Sequence, residues 1–347
     1  DEKAQLLGWI RDGAMRGEER EYAPVARDEV PFAADVSMQL AEAYLPQGEP
    51  DDYRCFVVPW NETTEKFVTG FEVTPDVQAE VHHVILYRVE PELVADFEAM
   101  DAAEEGPGYT CYGGPVVGAD MTSAAGMPMN LGGWVPGTRG NSFPEGVGIK
   151  VEPGSAIVVQ MHYNTSHSEP EPDQTRFGFS LADTVERPAL SRLITDPKWI
   201  RAGGMPIPAG EANVHHRTEI PLAVYLQALG GAEIGLAAGS PYVLHRVNMH
   251  MHELGTRGRV GLLRGGEDDE CLLDIPEWDF HWQGAYTFEQ AVTVQPGDTL
   301  TLECWWDNSV DGQPSHGAGP RPTPIDVEWG EGTRDEMCLT GFLVTAN

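Results

Sequence analysis

The chain has 347 residues, which is long enough for two domains of ordinary size, each with its own core. Its 55 acidic and 22 basic residues give a net charge of −33, which argues against nucleic acids and anionic membrane surfaces as partners. The excess favours solubility and a basic partner; the alternative is a salt-adapted source organism, which we favour because Lys is scarce. The sequence contains no apolar run of about 18 residues, so it predicts no membrane span.

The sequence begins at Asp1, without Met and without an apolar signal core, which indicates a processed product or a piece of a longer chain. Residues 4–20 have helical spacing, with Leu6, Leu7 and Ile10 on one face. This segment resembles the closing helix of a small cytochrome c domain, which would place a heme domain upstream. An N-terminal packing helix is an equally good interpretation, so we treat residues 1–29 as a helical and extended lead.

From about residue 30 the sequence is typical of β structure, with short β-branched and aromatic runs separated by turn residues. The predicted strands begin at Tyr53, Lys66, Val81, Gly148, Ala156 and Phe177, and then at Arg217, Tyr242, Arg259, Ala291, Thr299 and Cys338. A helical patch covers residues 91–103, and the Gly- and Pro-rich residues 106–146 predict long loops. The pattern pauses at residues 184–188, which we take as a domain junction.

Many short strands with almost no helix are typical of antiparallel sandwiches. The sequence therefore predicts an all-β fold with two tandem antiparallel β-sandwich domains, at residues 30–187 and 188–347, after the N-terminal lead.

One predicted strand carries two histidines at a spacing that suits a metal ion. In an extended segment, Asn248, His250 and His252 point to one face, and the apolar residues between them point to the other. Two imidazoles on one face can bind a single metal ion. For this segment alone, however, a strand that carries two histidines by chance is the better interpretation.

Three further positions offer metal-binding atoms. His82 and His83 are adjacent in an apolar strand, so a shared metal ion requires a local twist or the use of different ring nitrogens. His162 ends another strand and shares its face with Gln160; the alternative is a strand-end histidine open to solvent. Met337 precedes a strand and is either a core residue or a soft thioether ligand, which matters for Cu(I) and hardly for Zn, Mg or Ca.

Taken together and in order, these motifs resemble the type II copper, ascorbate-dependent monooxygenases, the family of peptidylglycine α-hydroxylating monooxygenase and dopamine β-monooxygenase. The family pattern is a His-His pair, a distant His in Gln-x-His, then His-x-His, then Asp-Glu-Met-Cys. It appears here as His82-His83, Gln160-Met161-His162, His250-Met251-His252 and Asp335-Glu336-Met337-Cys338. The resemblance covers about residues 53–344 and is to a bacterial-type member.

The resemblance implies two mononuclear coppers on two jelly-roll-like β-sandwich domains that face a cleft. The electron-donating copper would be held by His82, His83 and His162, and the copper where oxygen binds and the substrate C–H is cut by His250, His252 and Met337. The implied oxidoreductase hydroxylates a small-molecule substrate with O2 and an external one-electron donor, either ascorbate or a heme protein. Gln160 and Tyr53 are candidates for electron transfer or for support of the ligands.

The cysteines at positions 55, 111, 271, 304 and 338 allow two disulfides and one free thiol, which suits an oxidising compartment, periplasmic or secreted. The absence of Cys-x-x-Cys argues against a thiolate zinc site. The family resemblance implies the pairs Cys55–Cys111 and Cys304–Cys338, and the second pair would hold Met337 in place. Cys271 is then left over as a buried thiol.

The chain departs from the peptide-hydroxylating members at three positions. Those members hold a substrate carboxylate with an Arg two residues before His-x-His, where this chain has Asn248, and with residues after Met-Cys that here are Leu339 and Gly341. These candidate cleft residues argue against a glycine-extended peptide as substrate. Glu253 and the acidic surface indicate a cationic amine as a candidate substrate; the alternative is a solvated Glu253.

Two other functions stay open: a copper-binding protein that stores or senses copper without turnover, and a zinc hydrolase built on the His-x-His pair. His215 and His216 match no family ligand, and we interpret them as structural or surface residues. His316 lies in a Gly/Pro loop and is at most a labile extra ligand.

Overall fold

The computed structural model describes residues 2–16, 32–48, 51–115, 128–138, 140–165, 169–228, 230–237, 239–265, 269–314 and 323–347. Residues 1–31 and 32–347 form two compact units. The first contains helix α1 (Glu2–Arg11), which ends before the predicted residue 20. Gly13 and Ala14 both adopt positive φ, which a helix cannot continue through; residues 17–20 lie outside the described residues.

The described part of the second unit is built from strands, with only short helical segments. The strands are β1 (Val36–Gln39), β2 (Asp51–Pro59), β3 (Lys66–Thr74), β4 (Val81–Val89), β5 (Tyr109–Thr110), β6 (Met129–Trp134), β7 (Asn141–Ser142), β8 (Val147–Val151), β9 (Ala156–Asn164), β10 (Arg176–Ala182), β11 (Arg187–Ile194), β12 (Val214–Ile220), β13 (Tyr242–His250), β14 (Gly255–Leu263), β15 (Asp269–Ile275), β16 (Ala285–Val294), β17 (Thr299–Trp306) and β18 (Leu339–Ala346). The helical segments are α2 (Val94–Ala102), α3 (Leu222–Ala228) and a 3-10 turn at Gly231–Ile234. The predicted all-β class is confirmed. No helix among the described residues has the length and apolarity needed to cross a membrane.

The strands of the described chain form three sheets. One has the order β1-β10-β3-β8-β11-β18-β13-β16, with β7 beside β3; the second is β12-β17-β14-β15 and the third β5-β2-β9-β4-β6. Between described strands, every ladder is antiparallel except the parallel pair β8–β11. β11 begins inside the predicted junction and joins β8 to β18, so one sheet continues past that point. The domain division at residue 187 stays a prediction.

Strand β9 is central in its sheet and is covered on both faces, which is why it reads as an almost continuous apolar run. Ile157 and Val159 pack into the main core, whereas Val158 belongs to a smaller cluster around the Cys55 side chain and Phe97 of α2. This burial extends as far as Tyr163, and it fixes the positions of the polar side chains Gln160 and His162 that β9 carries.

The region predicted as long loops, residues 106–146, contains β5, β6 and β7 in its described part. The glycines that suggested a loop allow other residues to pack closely against the backbone of a strand instead. Gly132 in β6 has φ +148, and a Cβ atom there would lie 2.0 Å from the ring of Phe71. Because glycine lets a neighbour pack against the backbone, a Gly-rich strand resembles a loop in sequence.

Candidate metal centres and the cavity beside them

The first candidate metal centre is a cluster of three imidazoles, from His82 and His83 on β4 and from His162 on β9. The ladder between these strands has a bulge between Val81 and His83. A bulge sets two residues against one, so both adjacent side chains can face His162. The Nδ1 atom of His162 lies 3.1 Å from that of His82 and 3.3 Å from that of His83. Nitrogens at about 2 Å from one ion are roughly 3–4 Å apart, so one metal ion fits this spacing.

The ring of His162 is fixed on its other side. Its Nε2–H donates to Asp51 Oδ1 at 2.8 Å, which leaves the lone pair on Nδ1. Tyr53 stacks on the ring with centroids 4.1 Å apart. Burial lowers the pKa of His83 and His162 well below the ordinary value, and that of His82 to about 4. All three imidazoles are therefore neutral at neutral pH, the form that binds a metal ion.

The second candidate centre contains His250, at the end of β13, and His252, with ring centroids 5.1 Å apart. The Nδ1–H of His250 donates to Gln283 Oε1 at 2.6 Å, and that of His252 to the carbonyl oxygen of Asp335 at 3.1 Å. These two bonds leave both lone pairs on Nε2, available to a metal ion. Burial lowers the pKa of both imidazoles, so both are neutral ligands at neutral pH.

Met337 is tied to the second centre by the carboxylate of its neighbour. Glu336 is completely buried, and its Oε2 accepts the backbone N–H of His252 at 2.9 Å and of Met337 at 3.3 Å. The same carboxylate accepts the N–H of Leu254 at 2.6 Å and the indole N–H of Trp306 at 2.8 Å. One oxygen atom thus joins the backbone of an imidazole residue to that of the thioether residue.

The two donor sets fit copper. Imidazole serves both Cu(I) and Cu(II), and a weak thioether favours Cu(I) while adding little for Zn, Mg or Ca. Four of the five imidazoles are positioned by contacts outside the donor set, from Asp51, Gln283, the Asp335 carbonyl and the ring of Phe280. Such outer contacts are typical of metal centres, where they set the orientation of the ligands.

A cavity of about 400 Å³, a size typical of small-molecule sites, lies beside both centres. The candidate ligands that line it are His83, His250, His252 and Met337. Its floor is the ladder between β13 and β18, in which Asn248 faces Gly341 and His250 faces Leu339. The three predicted cleft residues therefore line one cavity with the second centre. A Cβ atom on Gly341 would lie 2.3 Å from Asn248 Oδ1, so this glycine makes room for the amide.

The ring of Phe280 lies between the two centres. It stacks on His82 with centroids 4.9 Å apart and meets His252 edge-on at 5.9 Å. The ring centroids of His82 and His252 are therefore separated by no more than the sum of these two distances. Phe280 is mostly buried, so it also limits the space between the centres.

The two predicted supporting residues both line the cavity. Gln160 donates through Nε2 to the carbonyl oxygen of Cys111 at 3.3 Å and accepts from the hydroxyl of Tyr87 at 3.4 Å. The hydroxyl of Tyr53 donates to the carbonyl oxygen of Glu331 at 2.8 Å. These bonds hold both side chains in the cavity wall next to the first centre.

Sequence reasoning missed the roles of Asp51, Gln283, Phe280 and Glu336. Glu336 carried a signal, because an acidic residue that directly precedes Met337 and a buried strand needs partners. The other three residues carried no signal in the sequence. Asp51, for example, reaches His162 only through the register of β2 against β9.

The described cysteines form the disulfides Cys55–Cys111 and Cys304–Cys338, the two pairs that the resemblance implied. Cys271 is the free thiol, and it is exposed, so the expectation of a buried thiol is wrong. The physical reason is its position on β15, an edge strand of the second sheet.

The remaining histidines have other partners. His215 and His216 lie within β12, because that strand begins at Val214 and not at the predicted Arg217. His215 Nε2 lies 3.1 Å from Glu303 Oε2 and its ring stacks on Trp305 at 4.3 Å, while His216 Nε2–H donates to the carbonyl oxygen of Pro206 at 2.9 Å. The prediction for His316 lies outside the described residues.

The second centre falls in a segment that matches a known family. Residues 240–343 match the model of the C-terminal domain of copper type II ascorbate-dependent monooxygenases. The matched segment includes both imidazoles of the second centre, the residue Met337 and the floor of the cavity. This match supports the copper monooxygenase family for the chain.

Among curated relatives, the chain is similar to DBH-like monooxygenase protein 1 from Gallus gallus, with 26% identity over 276 residues. It is also similar to the proteins of that name from Homo sapiens, 25% over 272 residues, and Mus musculus, 24% over 274 residues. Each alignment covers 76% of this chain and 39% of the relative, so the chain spans well under half the length of these relatives. The relatives are named as monooxygenases, and the family model that matches residues 240–343 is also one of monooxygenases.

Solved structures add no functional argument. The major capsid protein P2 from Bacteriophage PM2 aligns with a TM-score of 0.27 and 7% identity over 90% of this chain and 97% of that chain. The STIV MCP aligns with a TM-score of 0.28 and 8% identity over 79% of this chain and 97% of that chain. Likeness at this level bears on neither fold nor function.

Proposed function

We propose that the chain is a copper-dependent monooxygenase that hydroxylates a C–H bond of a small-molecule substrate with O2 and an external one-electron donor. The observation that carries this proposal is that both donor sets contribute to the wall of one cavity, the first through His83 and the second through all three of its residues. His82, His83 and His162 would hold one copper ion, and His250, His252 and Met337 would hold the other. One O2, two electrons and two protons convert C–H into C–OH and water, and each centre would account for one electron.

Bound copper would supply one-electron transfer at the first centre and O2 activation at the second. The residues of the chain supply the orientation of the ligands. Asp51 and Tyr53 hold the ring of His162, while Gln283 holds that of His250. Glu336 fixes the backbone of both ends of the second donor set. Ligand geometry is therefore set by the fold before any metal ion binds.

We also propose the two-domain architecture: copper-binding, jelly-roll-like sandwiches at residues 30–187 and 188–347 that face a cleft, after a lead at residues 1–29. In support, the three-imidazole centre lies on β4 and β9, and the second centre lies beside β13 and β18. The donor would be ascorbate or a heme protein. We also propose that the chain is a bacterial-type member of the family, and the two disulfides support a periplasmic or secreted location for it.

Metal analysis and electron paramagnetic resonance on copper-reconstituted protein test the proposal, together with O2 uptake in the presence of ascorbate. We expect two copper ions per chain, O2 uptake coupled to the reductant, and loss of one ion in His162→Ala. The matched control is His215→Ala, because His215 contacts Glu303 outside both centres. One copper without O2 uptake would favour storage or sensing, and zinc alone would favour a hydrolase.

Met337→His tests the thioether separately. This variant keeps a donor atom at the position but replaces soft sulfur with nitrogen, which removes the bias toward Cu(I). We expect copper to stay bound while hydroxylation collapses. Unchanged turnover would count against the role proposed for Met337.

A further inference from the structure

The charged side chains that line the cavity have a different balance from the rest of the protein. Among the described residues of its wall, the charged ones are Arg192, Arg246 and Glu331. The whole chain carries a net charge of −33, and Arg192 interacts with the carboxylate of Glu233, so Arg246 is the cation of this wall that needs an explanation. A cation at a cavity wall with no carboxylate beside it favours an anionic ligand over a cationic one.

Arg246 lies on the cavity floor, in line with the second centre. The ladder between β13 and β18 runs without a bulge from the Arg246–Leu343 pair to the His250–Leu339 pair. Arg246, Asn248 and His250 therefore share one face of the strand. At about 3.3 Å per residue, the Cα atoms of Arg246 and His250 are roughly 13 Å apart.

The guanidinium of Arg246 is held in position but is not neutralised. Its Nε–H donates to Thr287 Oγ1 at 3.2 Å, an Nη2–H donates to the carbonyl oxygen of Ser142 at 2.9 Å, and its carbon lies 5.6 Å from the ring centroid of Phe143. Arg carries five N–H groups, and the others have no partner among the described residues. Burial lowers its pKa to about 10, so it stays a cation at neutral pH.

Two buried arginines elsewhere in the described chain have carboxylate partners. Arg54 pairs with Glu104 at 2.5 Å, and Arg88 pairs with Glu233 at 2.8 Å. Arg246 has no such pair in the part of the chain that the structure describes. A partly buried cation without an anion costs folding free energy, and a ligand that supplies the anion would recover it.

We propose that Arg246 binds the carboxylate of an apolar carboxylic acid whose hydrocarbon part lies along the floor toward His250. The inference rests on the proposed function, because this acid would be the substrate of the second centre. A planar carboxylate matches the fork of a guanidinium, and the facing residues Leu343, Gly341 and Leu339 provide an apolar floor. The spacing along β13 places the reacting carbon on the order of 10 Å from the carboxylate.

Asn248 lies between these two ends. Its Oδ1 atom is buried and has no hydrogen-bond partner among the described residues, so it is an acceptor without a donor. Buried polar atoms normally have partners. A hydroxyl group formed on the hydrocarbon part of the acid would supply that donor.

Glu331 is the group that would receive a cation instead. It lines the same cavity, and burial raises its pKa to about 7. Glu253, which led to the expectation of an amine, lines a separate pocket of about 130 Å³ with His82 and Phe280. An ammonium ligand at Glu331 is therefore the rival that the experiment must distinguish.

Calorimetric titration of the metal-free protein with octanoate, octanamide and octylammonium tests the inference, because the three ligands share one carbon skeleton. We expect octanoate to bind, and Arg246→Gln to weaken it about ten- to a hundred-fold, the effect of losing a charge-assisted hydrogen bond. Octanamide binding should be unaffected by this variant. The matched control is Arg257→Gln, because Arg257 is an exposed residue that pairs with Asp274 on another sheet.

Arg246→Lys keeps the charge without the fork, and it should bind octanoate with intermediate affinity, which covers the case in which Arg246→Gln does not fold. Tighter binding of octylammonium, lost in Glu331→Gln, would overturn the inference. So would octanoate binding that ignores both Arg246 variants, or no binding by any of the three ligands. Because no copper is present, this outcome is independent of the copper and O2 measurements that test the proposed function.

Discussion

Replacing Glu336 by Gln tests whether one buried carboxylate organises the second centre. Its two oxygens accept N–H groups from His252, Leu254, Met337 and Trp306. A Gln side chain of the same shape offers one acceptor oxygen and one NH2 group. At least one of the four N–H groups must then face another donor.

The least costly arrangement keeps the amide oxygen at the position of Oε2, which accepts three of the N–H groups. The NH2 group then faces the N–H of Leu254, whose nitrogen now lies 2.6 Å from Oε1. Losing one charge-assisted bond and leaving donors unsatisfied costs about 2–4 kcal/mol. Burial raises the pKa of Glu336 to about 7, so removing the charge recovers part of this cost. We therefore expect a net destabilisation of about 1–3 kcal/mol.

Urea unfolding of the metal-free protein measures this loss, and X-ray absorption at the copper edge of the Cu(I) protein reports the sulfur ligand. We expect Glu336→Gln to lower stability and to weaken the sulfur signal, because the backbone of Met337 loses its anchor. Glu289→Gln, on the exposed face of β16, is the matched control. A variant with the stability and the sulfur signal of the parent would refute the reasoning.

Three further predictions concern protonation, packing and the space between the centres. The free energy of unfolding of the metal-free protein, measured with urea, should fall by a few kcal/mol as the pH drops from about 6.5 to 4. The pKa of His82 in the folded protein is lowered to about 4, so the unfolded chain takes up a proton first and is favoured. A free energy that does not change with pH would contradict this. Gly132→Ala should lower the free energy of unfolding by about 2–4 kcal/mol, because the new Cβ atom would overlap Phe71. The control Gly137→Ala is also at positive φ but has open space, so it should lower the stability by only about 1 kcal/mol. Equal melting temperatures for the two variants would rule out the overlap. Phe280→Ala should broaden the copper–copper distance distribution in pulsed electron resonance, and an unchanged distribution would show that the ring does not set the spacing.

The positions of many strands could be predicted because their signals are local. The predicted starts at Lys66, Val81, Ala156 and Thr299 coincide with the first residues of β3, β4, β9 and β17. In each case a run of β-branched or aromatic residues is bounded by turn residues.

The misses have physical causes that no local window contains. Gly132 looks like a loop residue, yet it allows β6 to pack against Phe71. The pause at residues 184–188 looked like a linker, but Arg187 begins β11, which pairs with β8 and β18 from distant parts of the chain. Sheet pairing across such separations is set by the whole fold and not by the segment.

The residues of the candidate site also fall into two groups, those that the sequence could indicate and those that it could not. Its six candidate donor residues stand in motifs whose order resembles that of a known family, and this resemblance brought them forward where each motif alone did not. The residues that orient these donors do not belong to such motifs. Asp51 acts through strand register and Gln283 through a loop, while Arg246 became notable only when its surroundings showed no carboxylate.

Anomalous diffraction at the copper edge, on crystals of the copper-loaded protein, tests the central claim most directly. We predict two copper peaks, one bonded to the Nδ1 atoms of His82, His83 and His162 and one bonded to the Nε2 atoms of His250 and His252 and the sulfur of Met337. A single peak, or a Met337 sulfur outside bonding distance of the second peak, would contradict the account.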